Sequence, residues 1–139
     1  MKDVRWKQRF QNFDRAFELL RSALEARSLD EYSDLEQEGL IQRFEYSYEL
    51  AWKLMKDWLE HNGVVIPAPV GARSVIKEAY AAELVSDGQV WIDMMLHRNA
   101  LSHTYDFSTF EMNLTEVKGR YLSELSALHK ALKARLESE

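Results

Sequence analysis

Residues 34–63 read DLEQEGLIQRFEYSYELAWKLMKDWLEHNG, a run without proline and with Gly39 as its one internal glycine before the closing Asn62-Gly63. Nothing in it interrupts a helix, and Asn-Gly is a good helix stop. The pattern predicts one helix of about 29 residues, about 43 Å long at a rise of about 1.5 Å per residue. On a helical wheel its apolar side chains, from Leu40 and Ile41 to Trp58 and Leu59, span about 200°, where one-sided packing needs about 100°. Such a helix needs two neighbours in its own chain, or a partner chain.

Working outward, Trp6, Phe10, Phe13, Phe17, Leu20 and Leu24 fall at spacings of four and three, one stripe of a first helix. A polar connection, Asp30 to Ser33, joins it to the long helix. Downstream, residues 64–71 hold both prolines, Pro67 and Pro69, and form the one substantial loop. A short third helix follows through Ser74 to Tyr80, and Asp87 is the N-cap of a fourth. Ser108 and Glu111 form a capping box for a fifth, whose stripe is Leu114, Val117, Tyr121, Leu125, Leu128 and Leu132. Gly119 interrupts that helix with no evident purpose. No alternating strand pattern or internal repeat occurs. The expected fold is all-α: an antiparallel four-helix up-and-down bundle with an additional short helix, homodimeric, with residues 1–139 as a single domain.

The composition narrows the function classes. With 18 Lys+Arg against 23 Asp+Glu, the formal charge of −5 argues against a broad phosphate-tracking surface but leaves room for a small local site. The chain has no cysteine, which removes thiolate metal sites and cysteine nucleophiles and suits a reducing compartment, the cytoplasm by default. No apolar run reaches the length of a spanning helix, and the opening residues do not read as a signal peptide. There is no Gly-rich phosphate loop and no Gly-Ser followed by an Asp-x-Asp pair, so the chain is not a polymerase-type nucleotidyltransferase.

One cluster could carry chemistry. Trp91, Met94, Met95, Arg98 and Leu101 share a face of the fourth helix, which sets a guanidinium in an apolar stripe. Such a charge needs a carboxylate, a phosphate or a partner subunit. His103 lies five residues on, about 140° round the helix, so it diverges from Arg98 within one chain. A two-fold axis would bring the pairs of two copies into one composite cleft. There Arg98 would hold a phosphate, His103 would move protons, and Asn99, Ser102 and Tyr105 would be neutral donors. That set suits phosphodiester cleavage without metal or cofactor. Taken alone, an Arg-x-x-x-x-His pair is more often a salt-bridged interface arginine and a helix-end histidine. His61, His97 and His129 show no ligand spacing, and Tyr46, Tyr48, Trp52 and Trp58 read first as packing residues.

The run Arg98-Asn99-x-x-x-His103-Thr104-Tyr105-Asp106 resembles the Arg-polar-x-x-x-His-x-Tyr signature of HEPN proteins. The blocks Phe44 to Lys53 and Arg73 to Ala79 resemble the second and third helices of the nucleotidyltransferase substrate-binding subgroup, so the likeness spans nearly the whole chain. It implies a dimerising bundle similar to the helical domain of kanamycin nucleotidyltransferase, and a separately encoded minimal nucleotidyltransferase as partner. It also implies one of two activities. In the first, the chain is a toxin-type, metal-independent ribonuclease with Arg98 and His103 catalytic, silenced by adenylylation of Tyr105. In the second, it is a non-catalytic subunit that presents a small or nucleotide-like substrate, in place of RNA, to the transferase.

Overall fold

The computed structural model describes residues 2–101 and 114–139, with side chains over 5–100 and 114–139. Among the described residues there is no strand. In chain order they form α1 (Lys2–Ala26), a 3₁₀ turn (Leu29–Glu31), α2 (Asp34–His61), α3 (Ala72–Ala81), α4 (Gly88–Leu101), a π turn (Val117–Tyr121) and α5 (Leu122–Glu137). The all-α bundle with one short extra helix is the observed architecture. The capping box expected at Ser108 and Glu111 lies outside the described residues.

The α1 stripe is legible in the burial: from Trp6 to Leu24 none of its six members is more than 5% exposed. Its face is covered by α2 and α5. Helix α2 starts where Ser33 Oγ accepts a hydrogen bond from the Glu36 backbone N–H at 3.2 Å while the Glu36 carboxylate accepts from the Ser33 N–H at 2.9 Å. This reciprocal capping box satisfies two donors that helix geometry leaves unpaired. Helix α2 ends at Asn62, followed by Gly63 at φ 83°. The Gly63 N–H donates to Glu60 O at 3.1 Å and the Val64 N–H to Leu59 O at 3.0 Å, the paired bonds of a Schellman motif.

The wide apolar arc of α2 has an explanation inside the chain. Helices α1, α3, α4 and α5 all pack on it, so the arc needs no second molecule to cover it. At its centre the Phe44 ring stacks on Tyr121, with centroids 5.7 Å apart. Asp57, with a side chain only 3% exposed, sits 3.0 Å from Arg9 Nε and ties α2 to α1.

Helix α3 begins two residues earlier than the spacing suggests, and Asp87 caps α4 as expected, its Oδ1 accepting from the Val90 N–H at 3.2 Å. The stripe from Leu114 to Leu132 is buried throughout. The helix carrying it is not regular, however. Gly119 lies in the five-residue π turn, where each hydrogen bond spans one residue more than in an α-helix. Gly119 is exposed, with nothing within 4 Å of a Cβ among the described residues, so close packing there does not require glycine.

Candidate functional site

The site is built from the middle of α2 and the C-terminal half of α4. Trp91 and Met94 point into the core and are fully buried, and the next turn of that face brings Arg98 toward α2. Arg98 Nε lies 3.2 Å from Glu49 Oε1, with the two side chains 33% and 30% exposed. The required carboxylate is therefore supplied by the same chain, and Arg98 does not by itself call for a second copy. The contact is a close ion pair without a well-directed hydrogen bond, because the buried Nε–H has no aligned acceptor among the described residues. The second Glu49 oxygen accepts from Trp52 Nε1 at 3.3 Å and lies 3.8 Å from Lys53 Nζ. Glu49 thus faces a guanidinium, an indole and an ammonium group.

Two further α2 residues answer to this charge cluster. Burial pushes the Glu45 carboxyl above its ordinary range, with Arg98 opposing and Glu49 adding to the rise. Burial likewise pushes the Tyr48 phenol well up, with the Glu49 charge in the same direction and Arg98 against. Tyr48 is 1% exposed and its hydroxyl has no hydrogen-bond partner among the described residues. Behind Arg98, His97 Nδ1 is hydrogen-bonded to the Tyr121 hydroxyl, and Asp93 Oδ2 is 3.1 Å from an Arg120 guanidinium nitrogen. These pairs fasten α4 to the π turn.

A cleft of 720 Å³ opens beside this cluster, between α2, the 67–71 loop, α3 and α4. Its walls are Tyr48, Trp52, Pro67, Pro69, Val70 and Met95, with Arg73, Lys77 and Glu78 from α3 and with Glu49 and Asn99 at the end nearest Arg98. Of the residues singled out by sequence, Arg98 and Asn99 thus meet at one place. Ser102, His103 and Tyr105 lie outside the described residues, as does Leu101's side chain.

Glu49, Glu45 and the His97–Tyr121 pair were not assigned from sequence. The available signal was the i, i+4 placement of Glu45 and Glu49 on α2, but which helix they faced needed the tertiary arrangement. Asp14, Glu18 and His129 form a second cluster, their ligand-type atoms all within 4.8 Å. Each is already employed: Asp14 Oδ1 is 2.6 Å from His129 Nε2, the imidazole stacks on Phe17 at 4.9 Å, and Glu18 pairs with Arg21. A hydrogen-bonded Asp14–His129 contact between α1 and α5 accounts for it.

The nucleotidyltransferase substrate binding protein like family matches residues 8–134, nearly the whole chain. This chain belongs to that family. It is 36% identical over 70 residues to the protein named "Probable ribonuclease HepT" of Haemophilus influenzae, covering 49% of this chain and 48% of that protein. The chain thus spans about half the length of that curated relative. Its fold matches that of HI0074 from Haemophilus influenzae with a TM-score of 0.66 and 25% identity, over 96% of this chain and 99% of that one. That structure is described as revealing the fold of a substrate binding domain of a nucleotidyltransferase. The expectation of a HepT-like HEPN protein drawn from the sequence blocks agrees with all three likenesses.

Proposed function

We propose that this family member is a metal-independent endoribonuclease subunit, acting as a homodimer in the cytoplasm and silenced by a separately encoded minimal nucleotidyltransferase. The observation that carries the reading is the Arg98 guanidinium, paired with the cleft-lining Glu49 and with a third of its side chain exposed. A permanently charged guanidinium, paired with one cleft-lining residue, Glu49, and next in sequence to another, Asn99, is suited to a phosphate brought to that end. His103, from the same or the second copy, takes the proton from a ribose 2′-hydroxyl as that oxygen forms a bond to phosphorus. The bond from phosphorus to the 5′-oxygen breaks, the leaving oxygen receives a proton, and a 2′,3′-cyclic phosphate remains. Arg98 stabilises the charge that develops on the phosphoryl oxygens, and Asn99 and Ser102 are supporting donors. Silencing transfers AMP from ATP to the Tyr105 phenol oxygen with release of pyrophosphate. The added negative charge and adenosine then compete for the guanidinium.

The purified dimer is expected to cleave RNA in EDTA, and Arg98→Ala and His103→Ala are each expected to lower the rate by at least about 100-fold, the lower end of what one acid–base group contributes. Both variants cleaving at the wild-type rate would sink the assignment. The cleft and the family's description favour a second reading, in which the chain binds a small or nucleotide-like substrate for the transferase without cleaving anything. RNA left intact by every form of the protein would select that reading.

A further inference from the structure

Two cations on the cleft wall have no evident structural duty. Arg73 and Lys77 are exposed, stand four residues apart on α3, and make no ion pair among the described residues. Like charges at this spacing repel on a helix. Arg73 also lies in the first turn, where the helix dipole already disfavours a cation. An anion between the two side chains would relieve that local repulsion. Across the cleft, Trp52 is half-buried with Lys53 Nζ 5.9 Å from its ring centroid, and Pro67, Pro69, Val70 and Met95 supply apolar wall. Tyr48, whose buried hydroxyl has no hydrogen-bond partner among the described residues, is also a lining residue. Of the two carboxylates, Glu49 is taken up by Arg98, Trp52 and Lys53, which leaves Glu78 to accept from a ligand N–H or hydroxyl.

One half-buried indole, two cations without an ion pair among the described residues and one carboxylate together suit a nucleotide. The cleft volume falls within the usual range of small-ligand pockets, about 300–1,000 Å³. We propose that this cleft holds one unpaired nucleotide, its base against Trp52 and its phosphate at Arg73 and Lys77, next to the phosphate that Arg98 engages. The proposal rests on the RNA-cleaving reading only for that last clause. The nucleotide would be a residue of the RNA substrate, and base–aromatic stacking would make the slot tolerant of sequence.

The test uses the full-length His103→Ala protein in EDTA, titrated with a fluorescent pentaribonucleotide and, separately, with AMP, with Arg73→Glu and Lys77→Glu each added to that background. Both positions are exposed, so folding is expected to survive, and circular dichroism checks it. The expected result is saturable binding of the pentanucleotide, weakened at least tenfold by each charge reversal, and a matching rise in KM without loss of kcat when the reversals are placed in the His103 protein. Loss of AMP binding by the same reversals, with the pentanucleotide unbound, would keep the cleft as a nucleotide site but make the free mononucleotide its source. Binding unchanged by both reversals overturns the proposal, even where RNA is cleaved. Charge-sensitive binding in a protein that never cleaves RNA would instead retain the cleft and remove the catalytic reading.

Discussion

Glu45, Tyr48 and Glu49 occupy adjacent turns of α2, and the charge of Arg98 acts on Glu45 and Tyr48 while Glu49 pairs with it directly. For Glu45 the cost of burial exceeds the help from Arg98, so its folded-state carboxyl titrates above the ordinary value. A raised carboxyl favours the fold when protonated. That contribution is present below the unfolded pKa and is lost as pH rises through the folded one. Glu45→Gln is therefore expected to melt higher than wild type at pH 7, with the gap closing toward pH 4. A thermal melt series across that range checks it, and a gap that widens on acidification would contradict the assignment. At this scale the sequence was half legible. Arg98 could be recognised as a charge out of place because its neighbours on the helix are apolar, but its counterion came from a residue 49 positions away, which no local pattern indicates.

Between the residue and the whole lie the helix ends, where α2 and α3 close with the same motif and different chemistry. Glu83 holds the left-handed position after α3 at φ 61°, with its N–H donating to Tyr80 O at 3.0 Å and the Leu84 N–H to Ala79 O at 2.9 Å. After α2 that position is Gly63. A side chain in the left-handed region costs about 1–2 kcal/mol, partly offset by the larger entropy that glycine loses on folding. Glu83→Gly is expected to raise unfolding free energy by about 0.5–1 kcal/mol and Gly63→Ala to lower it by about 1 kcal/mol, both read from urea denaturation. A loss of stability in Glu83→Gly would show that the glutamate side chain outweighs its backbone strain. The Asn62-Gly63 stop was readable because glycine marks it, whereas the α3 stop was hidden because glutamate stands in the glycine position. The π turn was hidden for a similar reason. The buried stripe from Leu114 to Leu132 keeps helical spacing through it, and Gly119 was the one residue there that breaks helical propensity.

For the molecule as a whole, the stripes of α1 and α5 and the length of α2 were enough to specify an all-helical bundle, because burial of that much aromatic and aliphatic surface leaves few other solutions. The wide arc of α2, open at first to a second copy, is satisfied by four helices of its own chain, so homodimerisation now rests on the family resemblance and the composite-cleft argument. The central position of α2 has a further consequence, in the kinetics of opening. No other helix can detach without uncovering it, yet α3 has only Val75, Ile76 and Ala79 in the core and can separate at smaller cost. Under native conditions, the backbone amides of residues 44–55 should exchange with deuterium only through global unfolding, with an opening free energy equal to that from denaturant. Those of α3 should exchange earlier, through a partial opening that widens the cleft while the rest of the bundle stays closed. Uniform protection of the two segments would mean that the cleft wall opens only when the whole protein does.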